Sequence, residues 1–304
     1  MERTESVAAV AAPVAEVERA GRAGRRPVRV RLRRLVVQNP IGALGAAMVA
    51  FVILVAVVAD LVAPYDPVAQ IAPPLQPPGG AHLLGTDDFG RDVLSRTIHG
   101  SRVSLYVGIV SVSIALLCGS FLGLLAGYYG RFVDTVIMRV MDVLFGLPAI
   151  VLAIAITSVL GPSLNSALIA IGIVYAPQFS RVARAPTLSL AQRDFVVAAR
   201  ALGASDLWIV LRHILPNITA PVTVQATVAF STAILTEATL SYLGLGTQPP
   251  TPSWGTMLNA GKQVVLLAPW NSIFPGLAVA FTVLGFNLLG DGLRDQLDPR
   301  LRSQ

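Results

Sequence analysis

Six long apolar stretches divide this chain, and the segments between them hold most of its charged and proline residues. A helix needs about 20 apolar residues to cross the hydrocarbon core of a bilayer. The pattern therefore predicts an all-α membrane protein with six transmembrane helices. The fourth stretch is short and contains Pro177, so a re-entrant segment is the alternative there. The spans are predicted at residues 41–63, 104–127, 138–160, 165–180, 214–242 and 272–290.

Composition supports the same class of protein. Hydrophobic residues make up 54% of the 304 residues and charged residues only 13%, whereas a soluble domain carries about 25% charged residues. The formal net charge of +6 comes mostly from arginines at the ends of apolar stretches, which argues against a nucleic-acid partner. The single cysteine, Cys118, lies in an apolar run, where a small buried side chain is expected.

Arginine placement predicts the orientation in the membrane. With a cytoplasmic N-terminus and six crossings, 19 of the 23 Lys and Arg residues fall on the cytoplasmic side, as the positive-inside rule requires. We therefore expect both termini in the cytoplasm of a bacterial cell and a basic tail, residues 1–40, beside anionic lipid. Residues 41–103 would form the first span and an extracytoplasmic segment, and residues 104–304 a five-helix core.

Motifs for catalysis and phosphate binding are missing from the sequence. It contains no GxxxxGK[ST] loop, no HExxH or GxSxG pattern and no paired catalytic carboxylates. Its three histidines show no metal-ligand spacing. We therefore expect no catalytic residue, no metal site and no cofactor in this chain.

The segment between the fourth and fifth spans, residues 186–216, carries the strongest functional pattern. It has a helix-forming core, a glycine suited to a positive φ and a reversal of the chain, and a Leu-Pro entry into the next span. Ser205 or Asp206 would cap the helix that follows. A short helix held by two spans can move both of them, although an ordinary amphipathic surface helix is the alternative. The predicted coupling residues are Val197, Ala198, Ala199, Arg200, Gly203, Ala204, Ser205, Leu215 and Pro216.

Two spans carry small or polar residues at helical spacing. Gly119, Gly123 and Gly127 in the second span predict a close helix contact, within the chain or with another subunit. In the fifth span a polar stripe either packs against another helix or lines a passage. The candidate passage residues are Thr219, Thr223, Thr227, Ser231 and Glu237. For Glu237 the alternative is a structural salt bridge or a hydrogen bond at the end of the helix.

The outer segments are rich in proline and carry mixed charge. Rigid loops of this kind predict a docking surface for a second protein, and simple capping of the helix bundle is the alternative. The residues from Arg91 to Arg102 are spaced as an amphipathic helix on the outer surface. The candidate docking residues are Arg91, Arg96, Pro252 and Trp254, the last expected to be exposed.

These patterns resemble a known transporter family. Ala198-Ala199, Gly203 and Leu215-Pro216 resemble the EAA loop of ABC-importer permeases, with Val197 in place of the usual Glu and His213 where Ile is often found. Four further blocks are similar to the C-type permease subunit of dipeptide/oligopeptide/nickel importers. They read RRLVVQNPIGALGAAMVAFVILVAVVADLVAPYDP, HLLGTDDFGRDVLSRTIHGSRVSL, TEATLSYLGLGTQPPTPSWGTML and NLLGDGLRDQLDPRLR.

The resemblance implies a type I ABC-importer permease bundle with one extra N-terminal helix. It implies half of a translocation pore for di- or oligopeptides, with nickel or another small solute as the alternative cargo. The implied partners are a paralogous B-type permease subunit, two cytoplasmic ATPase subunits or domains that bind ATP and Mg²⁺, and an extracytoplasmic solute-binding protein. A secondary carrier is the rival hypothesis, but its ion coupling needs ionisable groups near the middle of the membrane, where the spans offer few.

Overall fold

The computed structural model describes residues 39–297, so the predicted basic tail lies almost entirely outside the described residues. From Ile41 onward the described chain forms one compact helical unit. A π-helical turn, Val210–Ile214, joins the helix Asp206–Ile209 to the helix Leu215–Tyr242, and residues 206–242 form one continuous rod. The helices are α1 Pro40–Val57, α2 Ala59–Val62, α3 Val93–Tyr129, α4 Arg131–Phe145, α5 Ala149–Leu160, α6 Leu164–Ala191, α7 Asp194–Ala201, α8 Asp206–Ile209, α9 Leu215–Tyr242, α10 Trp254–Gln263 and α11 Trp270–Leu297.

Five of the described helices or rods are long and apolar enough to cross a membrane: α1, α3, α6, the rod of residues 206–242 and α11. The predicted third span is different, because its two helices, α4 and α5, meet at an angle of 92°. The bend falls at Gly146 and Pro148, since glycine weakens a helix and proline lacks the backbone N–H that a helix interior requires. With 12 residues, α5 covers only about 18 Å of a core about 30 Å thick.

The packing of α3 against α6 shows that α4 and α5 together make one crossing of the membrane. Ser111 Oγ donates to the carbonyl oxygen of Leu168 at 3.1 Å, and Gly127, further along α3, lies against Arg184, further along α6. The two helices therefore run parallel. A chain that leaves α3 on one side of the membrane must return to the other side before α6 begins. Together α4 and α5 make that return, and the predicted six crossings are confirmed.

The glycine stripe of the second span lies in this α3–α6 contact. A Cβ atom on Gly127 would come within 2.8 Å of the Arg184 carbonyl oxygen, and a Cβ on Gly119 or Gly123 would overlap a carbonyl oxygen of α6. Only glycine permits this approach of two backbones. The stripe thus packs within the chain. The re-entrant alternative for the fourth span is wrong, because α6 is a continuous helix of 28 residues.

Several predicted boundaries are also corrected. Pro186 lies inside α6 rather than at its end, since the extensive packing on α3 outweighs one lost backbone hydrogen bond. The fifth span begins at Asp206, because the π-helical turn accommodates Pro216. The expected outer amphipathic helix is the first part of α3 itself. Cys118 is exposed on α3, on a helix face that turns away from the bundle.

The extra N-terminal helix, α1, packs on α11 and is tied to α3. A Cβ on Gly45 would lie 2.7 Å from the carbonyl carbon of Leu288, so the backbones of α1 and α11 are close. Arg102 of α3 donates through Nε to the carbonyl oxygen of Ala56 at 2.6 Å, and its Nη1 and Nη2 contact both carboxylate oxygens of Asp60 at 2.8 and 2.9 Å. One arginine therefore caps α1 and fixes it to the bundle.

Candidate functional site

The turn between α6 and α9 folds as two short helices around a glycine. In α7, Asp194 occupies the first turn and Arg200 the last, as the helix dipole favours. Gly203 has a φ of +86°, as predicted. Ser205 caps α8, its Oγ accepting a hydrogen bond from the Trp208 N–H at 3.4 Å. We call α7, residues 202–205 and α8 the coupling turn.

The inner face of the coupling turn is anchored in the core. Val196 and Ile209 are fully buried. Ala199 and Ala204 pack against the same hydrophobic cluster, which also contains residues of α3 and α6. The turn is therefore packed against the bundle rather than being a loose connection.

The opposite face of α7 presents apolar side chains to the exterior. Phe195 is 46% exposed, Val197 54% and Leu202 89%, and Ala198 is exposed between them. These residues lie outside the candidate spans, so membrane lipid does not explain their character. An exposed apolar cluster of this kind is typical of a protein contact. We call Phe195, Val197, Ala198 and Leu202 the coupling patch.

His213 connects α7 with the base of the rod. Its ring centroid lies 5.6 Å from that of Phe195 and 4.9 Å from that of Trp208. Leu215 and Pro216 follow on the rod and are exposed, outside the coupling turn itself. The structure thus brings together the predicted residues from Val197 to Ser205 and places the Leu-Pro pair at the start of α9, outside that group.

A polar contact that the sequence analysis missed joins the coupling turn to α3. The Tyr128 hydroxyl donates to Asp206 Oδ1 at 2.6 Å, and Arg200 Nη2 donates to the same hydroxyl oxygen at 3.0 Å. The Arg200 guanidinium carbon also lies 5.5 Å from the centre of the Tyr128 ring. A tyrosine at the end of an apolar span was the available clue, since its hydroxyl needs a polar partner.

The polar stripe of α9 divides into two halves. Ser231 Oγ donates to Asn287 Oδ1 of α11 at 2.6 Å, and Thr227 also lies against α11. This half makes the helix contact that was one of the two alternatives. Thr219 and Thr223 are instead exposed and line a groove of about 510 Å³ between α3 and the rod. The passage prediction is left with these two residues.

Glu237 does not line a passage, because it is fully buried. Its Oε1 accepts hydrogen bonds from Ser241 Oγ at 2.7 Å and Thr247 Oγ1 at 3.2 Å. The helix turns this face toward α10, where Gly255 lies against Ala238. The carboxylate therefore holds the start of the outer loop in place, and its predicted role is corrected accordingly.

The predicted docking residues Pro252 and Trp254 are buried too. Trp254 is only 2% exposed, and its Nε1 donates to the carbonyl oxygen of Thr97 at 2.9 Å. Gly100 of α3 leaves the space that the indole ring fills, since a Cβ there would come within 2.8 Å of the ring. The expected exposure of Trp254 is therefore wrong. The residue fixes α10 to α3.

Arg91 and Arg96 belong to a buried charge cluster rather than to an exposed surface. Arg91 Nε donates to Asp87 Oδ2 at 2.7 Å, and Arg96 Nε lies 3.4 Å from the same oxygen. Burial raises the pKa of Asp88, and the nearby Asp87 carboxylate adds to the rise. A cavity of about 20 Å³ beside Asn271 adjoins the cluster and has room for one water. The cluster holds the outer segment together.

Comparisons with solved structures and family models agree with the helical architecture. The MetNI methionine ABC transporter, in inward-facing conformations, superposes with a TM-score of 0.53 at 19% identity, covering 67% of this chain and 97% of that chain. Residues 119–303 match the family model described as binding-protein-dependent transport system inner membrane component. Residues 29–78 match the N-terminal TM domain of oligopeptide transport permease C. The predicted type I permease fold is confirmed.

Sequence relatives cover most of the chain. The dipeptide transport system permease protein DppC of Alkalihalophilus pseudofirmus is 47% identical over 88% of each chain. The di/tripeptide transport system permease protein DppC of Pseudomonas aeruginosa is 47% identical over 86% of this chain and 89% of its own. The glutathione transport system permease protein GsiD of Escherichia coli is 46% identical over 84% of this chain and 86% of its own. The chain thus belongs to the family of binding-protein-dependent transport inner membrane components, the permeases of ABC importers.

Proposed function

We propose that this chain forms one half of the translocation pore of an ATP-driven importer of di- or oligopeptides. The coupling patch is the observation that carries the proposal. Its apolar side chains stand on a turn whose inner face is anchored in the core. A partner that grips the outer face therefore displaces the helices on both sides of the turn as rigid bodies.

The partner at this patch is a cytoplasmic ATPase pair, which binds the ATP and Mg²⁺ that this chain has no motif to hold. Closure of the pair on ATP moves α7, and with it α6 and the rod. The ATP-bound pair must prefer one geometry of the coupling turn, since only differential affinity shifts a conformational equilibrium. With Val197 at the family's Glu position, the contact is apolar, so we expect it to depend weakly on salt.

The other proposed partners follow from the family and the predicted orientation. A paralogous B-type permease supplies the second half of the pore, and an extracytoplasmic solute-binding protein delivers the cargo. Both termini are cytoplasmic. The four docking residues predicted from the sequence are buried. The exposed residues 248–251 and Phe89 therefore become the candidates for contact with the binding protein.

Transport by the purified assembly tests the proposal. The tagged chain is isolated from native membranes with its bound partners and reconstituted in liposomes with its solute-binding protein. We expect uptake of radiolabelled dialanine that requires ATP and is blocked by vanadate. Uptake driven by a proton gradient in the absence of ATP would contradict the proposal and favour a secondary carrier.

The same liposomes decide the cargo. Relatives are named for dipeptides and for glutathione, and nickel is the alternative cargo that the sequence resemblance implies. Reduced glutathione and nickel ions are therefore the comparison probes. ATP-driven uptake of nickel ions without uptake of dialanine or glutathione would keep the importer and overturn the peptide assignment. Uptake of glutathione alone, a γ-linked tripeptide, would restrict the assignment to longer or γ-linked peptides.

A further inference from the structure

The rod touches α3 at two separate places. In the outer half, Gly108 of α3 lies against the ring of Phe230, where a Cβ atom would come within 2.5 Å of the ring. Nearer the coupling turn the two helices diverge and leave the groove of about 510 Å³. Tyr128 and Asp206 close that groove at its end. Along α3, the rod is thus in contact at a pivot and at its inner end, with the groove between them. The rod also packs on α6 and α11, through Gln225 and Ser231, and Ile209 at its inner end is buried in the core cluster.

The terminal bond lies where a force on the coupling patch would act first. Tyr128 is 8% exposed, so its ring is fixed in the core while its hydroxyl reaches the coupling turn. Arg200 stands on α7, beside the patch, and donates to the same hydroxyl. Asp206 stands at the start of the rod. Any swing of the rod away from α3 about the Phe230 contact must lengthen the bond between Tyr128 and Asp206.

The geometry points to a latch made of Tyr128, Arg200 and Asp206, which holds the rod against α3 in this conformation and opens when the coupling turn moves. The inference rests on the proposed function, because an ATPase pair supplies the force. The latch stabilises the conformation in which Tyr128 of α3 and Asp206 of the rod are in contact, relative to conformations in which these two helix ends are apart. Removing it shifts that equilibrium by at least about tenfold, the lower end of what one hydrogen bond to a charged group supplies.

Distance measurements across the groove test the latch. Spin labels are placed on Phe121→Cys of α3 and Thr223→Cys of the rod, both exposed groove residues, in a Cys118→Ser background. The distance distribution is recorded in the assembled importer without nucleotide, trapped with ATP and vanadate, and at an intermediate nucleotide concentration that populates both distances. We expect Tyr128→Phe to shift the ratio of the two populations toward the trapped state by at least about tenfold.

Matched variants separate the latch from simple loss of structure. Tyr129→Phe removes the hydroxyl of the exposed neighbouring tyrosine and should leave the ratio unchanged. Asp206→Asn should shift it like Tyr128→Phe, with little further effect in the double variant, because both act through one bond. Arg200→Ala should shift the population ratio in the same direction. Arg200→Lys should bring the ratio part of the way back toward the wild-type value.

The outcomes distinguish this inference from the proposed function. If nucleotide changes the wild-type distance but Tyr128→Phe leaves the population ratio unaltered, the latch is refuted and the importer stands. If nucleotide leaves the wild-type distance unchanged, the rod does not swing from α3, and the proposed motion of the coupling turn fails together with the latch.

Discussion

Gly203 shows how much one residue decides at the coupling turn. Its φ of +86° is a conformation that other L-residues adopt at a cost. No other group lies within 4 Å of the position of a Cβ atom, so the requirement is conformational rather than steric. Its N–H also donates to the carbonyl oxygen of Arg200 at 3.0 Å. The residue therefore sets the angle between α7 and α8.

A pair of substitutions at this position tests that requirement. Gly203→Pro should insert in the membrane normally, because the residue lies outside the spans, yet lose ATP-driven uptake. Proline fixes φ near −65° and removes the donated hydrogen bond, at a local cost of about 3 kcal/mol. Gly203→Asn should retain most uptake, since asparagine tolerates positive φ. Uptake rates per inserted protein decide, and normal uptake by the proline variant would refute the expectation.

Residues with local requirements were predictable from the sequence, and residues with distant partners were not. The positive φ of Gly203 and the cap at Ser205 depend on a few neighbouring positions. Trp254 finds its partner 157 positions away, and Tyr128 bonds to residues 72 and 78 positions away. A pattern along one chain shows that such a side chain needs a partner but does not identify it.

At the scale of the helix, the contact between α3 and α6 fixes the arrangement of the bundle. The four-residue glycine spacing predicted a close approach, and the structure supplies the partner, α6, and its direction. The bend between α4 and α5 was less accessible. Gly146 and Pro148 indicate a break in the sequence, but the 92° angle depends on how each helix packs afterwards.

Enlarging one glycine of the contact should loosen the bundle. Gly123→Ala places a methyl group against the Ser180 carbonyl oxygen, and overpacking of this kind costs about 1–3 kcal/mol. Gly276→Ala is the matched control in α11, because its Cβ would meet the nearest atom at 3.8 Å, an ordinary contact. Thermal unfolding of the assembly in detergent should show a lower midpoint for Gly123→Ala alone. Equal midpoints for the two variants would contradict the expectation that the close α3–α6 contact contributes to stability.

For the whole molecule, the parallel course of α3 and α6 determines which loops face which side of the membrane. Hydropathy alone located the apolar stretches and left only the fourth, which is α6, undecided between a crossing and a re-entrant segment. In the structure the same question falls instead on the short, bent α4–α5 pair. The packing requires a crossing, and with a cytoplasmic N-terminus it assigns residues 161–163 to the outside and the coupling turn to the inside.

Cysteine labelling in intact cells tests that assignment. In a Cys118→Ser background, Pro162→Cys should react with a membrane-impermeant maleimide from outside, since residue 162 is exposed between α5 and α6. Ala201→Cys, exposed at the end of α7, should react only after the cells are permeabilised. The reversed labelling pattern is expected if α4 and α5 form a re-entrant loop, and it would overturn the six-crossing topology.

The length of α3 links the two faces of the membrane. Its 37 residues contain no proline and extend about 55 Å, well beyond a hydrocarbon core of about 30 Å. Asp92 at the N-terminal end of α3 accepts from the Ser95 N–H at 2.8 Å and contacts His82 Nδ1 at 3.0 Å, so the segment that precedes α3 is attached to this end. If the proposed solute-binding protein contacts that segment, it acts on the same continuous helix that carries Tyr128 at its other end. Docking of the binding protein on one side and ATP hydrolysis on the other would then both act on α3.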